Sequence, residues 1–125
     1  NFLWLVLIPF LVQNYSILSY ISTNHNISPL TKINDPLENS LTVTTNPLQE
    51  IFHLNFGYHV EHHLFPRVSC AHSKKIHALL KEHYPTKYKH MPKWKALKYL
   101  YQTPRIYKNS NELIHPKTNE TFSTL

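Results

Sequence analysis

His59-Val60-Glu61-His62-His63 is the segment of this 125-residue chain whose residue types and spacing point most directly to chemistry. On an α-helix successive side chains step by about 100°, so His62 falls about 60° to one side of His59 and His63 about 40° to the other. The three imidazoles then leave one face within one turn, a donor set that suits Zn, Fe, Cu or Ni. Glu61 lies about 160° round the helix and cannot share an ion with them unless the helix breaks. The order is neither the His-Glu-x-x-His of zinc proteases nor its inversion. With ten histidines in the chain, roughly one random sequence in sixteen would carry the bare triplet, so context has to decide it. The alternatives at this point are a zinc-binding module and an exposed histidine cluster heading a basic tail. The lone Cys70 excludes an intrachain disulfide and cysteine-rich zinc modules. The lone Gly57 argues against glycine-rich phosphate loops and tight-turned β-barrels.

The elements that must position these histidines read as helices. Asn46-Pro47 is a helix start, with Asn as N-cap and Pro at the first helical position, and Glu50 suits the first turn. The helix is expected to run to about Phe65 and stop at Pro66. Gly57 within it costs about 1 kcal/mol against alanine, which points to a close approach to the backbone or to a packing contact with another helix. Upstream, residues 1–31 carry no charge. Residues 1–21 would span roughly 31 Å as a helix, about one hydrocarbon core, with Trp4, Tyr15 and Tyr20 at interfacial positions and a kink at Pro9. A buried helix of a soluble protein is the competing reading. Residues 22–46 have loop composition. Ser69–Tyr84 and Pro92–Tyr101 read as amphipathic helices, suited to a membrane surface or to a cytosolic domain. From Gln102 onward an irregular chain is expected. The elements read from the residues are all helical, so the fold class is expected to be all-α, with residues 1–21 as the candidate integral membrane segment.

Charge is divided as sharply as hydropathy. Residues 67–125 hold twelve Lys and Arg against three Glu, a balance of +9, whereas residues 1–66 sum to −3. This asymmetry points to a membrane or a polyanion. The chain opens within an apolar run with neither Met nor a basic flank, and so reads as the C-terminal piece of a longer protein.

The stretch Asn55-Phe56-Gly57-Tyr58-His59-Val60-Glu61-His62-His63-Leu64-Phe65-Pro66 resembles the third histidine box of membrane fatty acid desaturases. Tyr84-Pro85, Met91-Pro92, Ala96-Leu97 and Thr103-Pro104-Arg105 with Tyr107 resemble the tail that follows this box in bacterial members. Ser22-Thr23-Asn24-His25 and Asn34-Asp35-Pro36-Leu37 are similar to segments upstream of it.

The resemblance implies an enzyme of four transmembrane helices with a di-iron site on the cytosolic face. That site uses O2 to place a double bond in a fatty acyl chain carried on lipid, carrier protein or CoA. It implies His59, His62 and His63 as iron ligands, His25 as the extra histidine between boxes, and Asn24 and Asn55 as supporting polar residues. By this reading residues 1–21 are the last membrane helix, 22–46 a cytosolic connecting loop, 47–66 the box helix and 67–125 a basic cytosolic region. His53 falls too far round the helix, and His72, His77, His83, His90 and His115 are expected at the surface. The first two boxes are absent from these residues, so the chain alone is expected to be inactive. An external electron donor such as ferredoxin or a cytochrome is expected, and the basic tail suits an acidic donor, anionic headgroups or plain solubilising charge. A related di-iron hydroxylase or ketolase is the nearest rival. A non-enzymatic, basic, membrane-peripheral or nucleic-acid-binding piece is the more distant one. The favoured reading has a membrane and no nucleic acid as partner.

Overall fold

The computed structural model describes residues 1–125. It opens with a π-helical turn at Leu3–Leu7 that runs into α1, Ile8–His25. Pro9 has no N–H to give, and the widened turn lies just ahead of it, as π-turns and prolines commonly share a helix irregularity. Leu3–His25 is the one helix long and apolar enough to cross a membrane, and most of it is exposed. The helix runs a full turn beyond Ile21. Thr23 Oγ1 donates to the Ser19 and Tyr20 carbonyls, and Asn26 N–H closes on Ser22 O at 3.0 Å. Residues 22–25, expected in the loop, are therefore the last turn of α1, and His25 is held rigidly at its end.

The next elements are short. Asp35 caps α2, Pro36–Asn39, by accepting from Leu37 N–H at 3.0 Å. The β-branched run Thr42–Thr44 forms β1, and α3 covers Pro47–Phe52, with Asn46 Oδ1 accepting from Gln49 N–H as the sequence leads one to expect. The single helix expected over 47–66 is broken. After α3, Leu54 and Asn55 take left-handed φ values of 51° and 56°, and a second helix, α4, begins only at His59 and ends at Leu64. Downstream come a 3₁₀ turn at Cys70–His72, α5 at Ser73–His83, β2 at His90–Pro92 and α6 at Lys93–Gln102. The tail forms β3, Glu112–Ile114, and β4, Thr121–Ser123.

The fold is thus mainly helical but not all-α. β1 pairs in parallel with β2, Val43 opposite Met91, and β3 pairs antiparallel with β4, Leu113 opposite Phe122. Three-residue strands are too short to show alternation, so periodicity misses them. The β1–β2 pair is the device that ties the chain before the histidine box to the chain after it.

Two small cores result. Tyr20, Ile27, Leu41, Val43, Ala96 and Leu100 join α1, β1 and α6. Leu37, Val60, Leu80 and Tyr88 join α2, α4 and α5. Val60 is fully buried between two box residues, so α4 is seated by its own apolar side chain.

Candidate metal centre

His59 and His63 are four residues apart on α4 and share its outer face, as i and i+4 positions must. α1 brings His25 to them from the other side. His59 Nε2 lies 2.6 Å from His25 Nε2 and 2.9 Å from His63 Nε2, and one donor nitrogen from each ring falls within 4.8 Å of the other two. His62 is outside this three-nitrogen group: its ring centroid stands 5.9 Å from that of His63, and it lines the same adjoining cavity as the other three. His53, set aside from the sequence, makes a 2.8 Å hydrogen bond between its Nδ1 and the Tyr20 hydroxyl.

Three imidazoles meeting at one nitrogen pose a bonding problem. A neutral ring nitrogen carries either one hydrogen or one lone pair, so His59 Nε2 cannot donate to one neighbour and accept from the other. A cation facing three lone pairs solves it. Nitrogens about 2.0–2.1 Å from an ion and at right angles around it stand about 3 Å apart, close to the 2.6 Å and 2.9 Å found around His59. The protonation states agree. Burial first, then the neighbouring His25, His63 and His62, lowers the His59 pKa to about 3. Burial with His25 and His62 lowers that of His63 as well. Both rings are neutral and present lone pairs near pH 7, and the residues fit a metal of the type that imidazole prefers.

A cavity of about 470 Å³ opens beside the cluster. Its polar wall holds His25, His59, His62 and His63; its apolar wall includes Ile21, Phe56, Phe65 and Ile76. Asn24, next to His25, is fully buried, and neither its amide nitrogen nor its amide oxygen has a hydrogen-bond partner. That is costly for an amide and leaves it able to take a polar partner. Asn55 lines the same cavity but makes no hydrogen bond to the histidines. Its Nδ2 donates to the Cys70 carbonyl at 3.1 Å, fastening the left-handed turn that starts the box. Asn55→Ala, which loses that bond and a side chain tolerant of left-handed φ, should lower stability by about 1–2 kcal/mol. Asn55→Gly should cost less, and denaturant unfolding of the two variants checks the order.

Sequence reasoning set Glu61 aside and put His77 at the surface. The structure buries Glu61 and gives its carboxylate three donors. Thr42 Oγ1 donates to Oε2 at 2.6 Å, His77 Nδ1 lies 3.1 Å from Oε1, and the Tyr88 hydroxyl donates to the same oxygen. His77 is partly buried rather than exposed. Burial, then the Glu61 charge, pushes the Tyr88 phenol well above its ordinary range, so it stays a donor. The available signal was a carboxylate directly after a buried valine on a short helix.

Beyond the geometry, the fatty acid desaturase family model matches residues 1–95. The chain belongs to the fatty acid desaturase family. The match covers α1 through α5 and the start of α6, and so includes all four histidines of the candidate site and the cavity beside them. No curated protein and no solved structure matches this desaturase chain. The family is one of oxidoreductases that act on fatty acyl chains at membranes and generally use iron, and the neighbouring His25, His59 and His63 are compatible with that. The resemblance drawn from the box is therefore sound at the level of the family.

Proposed function

We propose that this chain supplies part of the di-iron site and part of the acyl-binding wall of a membrane fatty acid desaturase. The observation that carries the proposal is the convergence of His25, His59 and His63 nitrogens beside an apolar cavity, at the end of a helix long enough to cross a membrane. His25, His59 and His63 would hold one iron, and His62, on the cavity wall, would serve the second. Bound iron would supply oxygen activation; the chain's residues hold the donors neutral, orient the acyl chain and keep water from it. The balanced reaction takes O2, two electrons, two protons and a –CH2–CH2– pair to –CH=CH– and two waters. The apolar wall of Ile21, Phe56, Phe65 and Ile76 would set the methylenes against the histidines that line the same cavity.

The donors brought together here are enough for one iron, so the other ligands must come from outside these residues, and the 125-residue chain alone should show no turnover. The basic region, +9 over residues 67–125, supports a cytosolic side for the box and tail of a multi-pass protein and would suit the docking of an acidic electron donor such as ferredoxin or a cytochrome.

The test is product mass. A full-length desaturase carrying this chain should yield an acyl product lighter by two hydrogens, and His63→Ala should remove it. A product heavier by one oxygen would instead make the enzyme a hydroxylase, and unchanged product from His63→Ala would remove His63 from the ligand set.

A further inference from the structure

The α4 helix is too short to set its own orientation. It has six residues, well under the length at which helices persist alone, and Tyr58 gives it no side-chain cap. Orientation nevertheless matters at this site. Side-chain ends lie roughly 6 Å from a helix axis, so a rotation of about 20° moves an imidazole nitrogen by about 2 Å, the length of a metal–nitrogen bond.

The other side of α4 is where it is held. Glu61 is 1% exposed, and every contact of its carboxylate comes from a different part of the chain. Thr42 is on β1, His77 on α5 and Tyr88 two residues ahead of β2. Thr42 Oγ1 also accepts the Val60 N–H at 3.3 Å, so one hydroxyl grips the helix backbone and its carboxylate together. β1 in turn is paired with β2, which closes the frame around α4. A buried carboxylate is costly unless paired, and an apolar side chain would fill this place at lower cost. What the carboxylate adds is direction: three donors in fixed places admit one rotation of the helix.

We infer that Glu61, held by Thr42, His77 and Tyr88, is a positioning residue that fixes the rotation of α4 and thereby the metal affinity of the His25–His59–His63 cluster. The inference rests on the reading of those histidines as ligands. Glu61 touches no ligand nitrogen and acts only through the helix.

The experiment is a Co(II) titration of the whole 125-residue chain in detergent micelles, followed by the visible absorption of the bound ion. Co(II) binding should be present in the wild type and lost in His59→Ala. Thr42→Val, which removes only the hydroxyl, should weaken binding about 10- to 100-fold and alter the absorption bands, the range seen when partners behind metal ligands are removed. Thr42→Ser should restore both to within about threefold. Glu61→Gln should weaken binding about 10-fold. Leu100→Ala, a lesion in the other core cluster, should destabilise the chain yet leave affinity within about twofold. Wild-type affinity in both Thr42→Val and Glu61→Gln would overturn the inference while leaving the ligand reading standing. An equal loss in Leu100→Ala would also overturn it, reducing the effect to general stability. Binding that survives His59→Ala, or none in the wild type, would sink the ligand reading and the inference with it.

Discussion

His59→Ala should abolish unsaturated product in a full-length desaturase carrying this chain, with metal content falling alongside. His59 is the middle of the cluster: its Nε2 is the atom shared by the 2.6 Å approach to His25 and the 2.9 Å approach to His63. Without it two imidazoles remain, one on α1 and one on α4, with no donor between them. Loss of a mere supporting partner behind a metal ligand already costs about 10- to 100-fold in affinity or activity. Loss of the central donor should exceed that, to about 1000-fold or below detection. His25→Ala should cost less, because His59 and His63 stay together on one helix. Gas chromatography of the acyl chains and iron analysis of the purified protein check both. Ordinary product from His59→Ala would remove the assignment of this cluster as the iron site.

Much of that cluster was visible before any coordinates. The spacing of His59 and His63 places them on one face of any helix, and the desaturase-like flanks give that face a purpose. His62 shows where the periodicity stops being informative. At about 60° from His59 it is nearly as well placed as His63, but His25 arrives on the His63 side, and the position of α1 is a tertiary fact. The break before α4 was hidden for a related reason. Residues 47–66 carry good caps and one glycine, and nothing local demands that a leucine at 54 and an asparagine at 55 take left-handed φ. Glu61 and His77 were misjudged because their partners are 16 to 27 residues away from the carboxylate or on another element. A histidine among lysines on an amphipathic helix reads as surface until the carboxylate opposite it is known. The length of the apolar helix, the charge division and the Asn46-Pro47 helix start are local or compositional, and they were legible; the sheets were not, because β1 and β2 lie far apart in sequence and all four strands are only three residues long.

Glu61 and the histidines also explain each other. A helix of six residues carries ligands on one side and a buried carboxylate on the other, with Val60 seated between. The acidic residue that disqualified the box as a protease motif is thus part of what holds the box in place. The same frame makes β1 more important than its length suggests. Thr42 grips Glu61, and its neighbour Val43 makes the approach to Gly57.

That approach yields a prediction whose sign separates two structures of the same sequence. In a continuous helix over 47–66, Gly57→Ala would stabilise by about 1 kcal/mol, since alanine is the better helix former. In the structure found, a β-carbon at Gly57 would lie 2.1 Å from the Val43 carbonyl oxygen and 3.2 Å from the Tyr20 ring. The oxygen cannot yield easily. Val43 N–H donates to Gly57 O at 3.0 Å, Val43 lies in the β1–β2 pair, and Thr42 beside it is bonded to Glu61. Either β1 or the turn into α4 must move by about 1 Å. Overpacking of this kind costs about 1–3 kcal/mol, and a strained or broken Val43–Gly57 hydrogen bond adds about 1 kcal/mol. Gly57→Ala should therefore destabilise the chain by about 3 kcal/mol, and it should carry His59, two residues on, away from His25. Denaturant unfolding in micelles measures the first effect and Co(II) affinity the second. A stabilised Gly57→Ala variant with unchanged Co(II) binding would restore the continuous helix and remove the β1 contact on which the placement of the box depends.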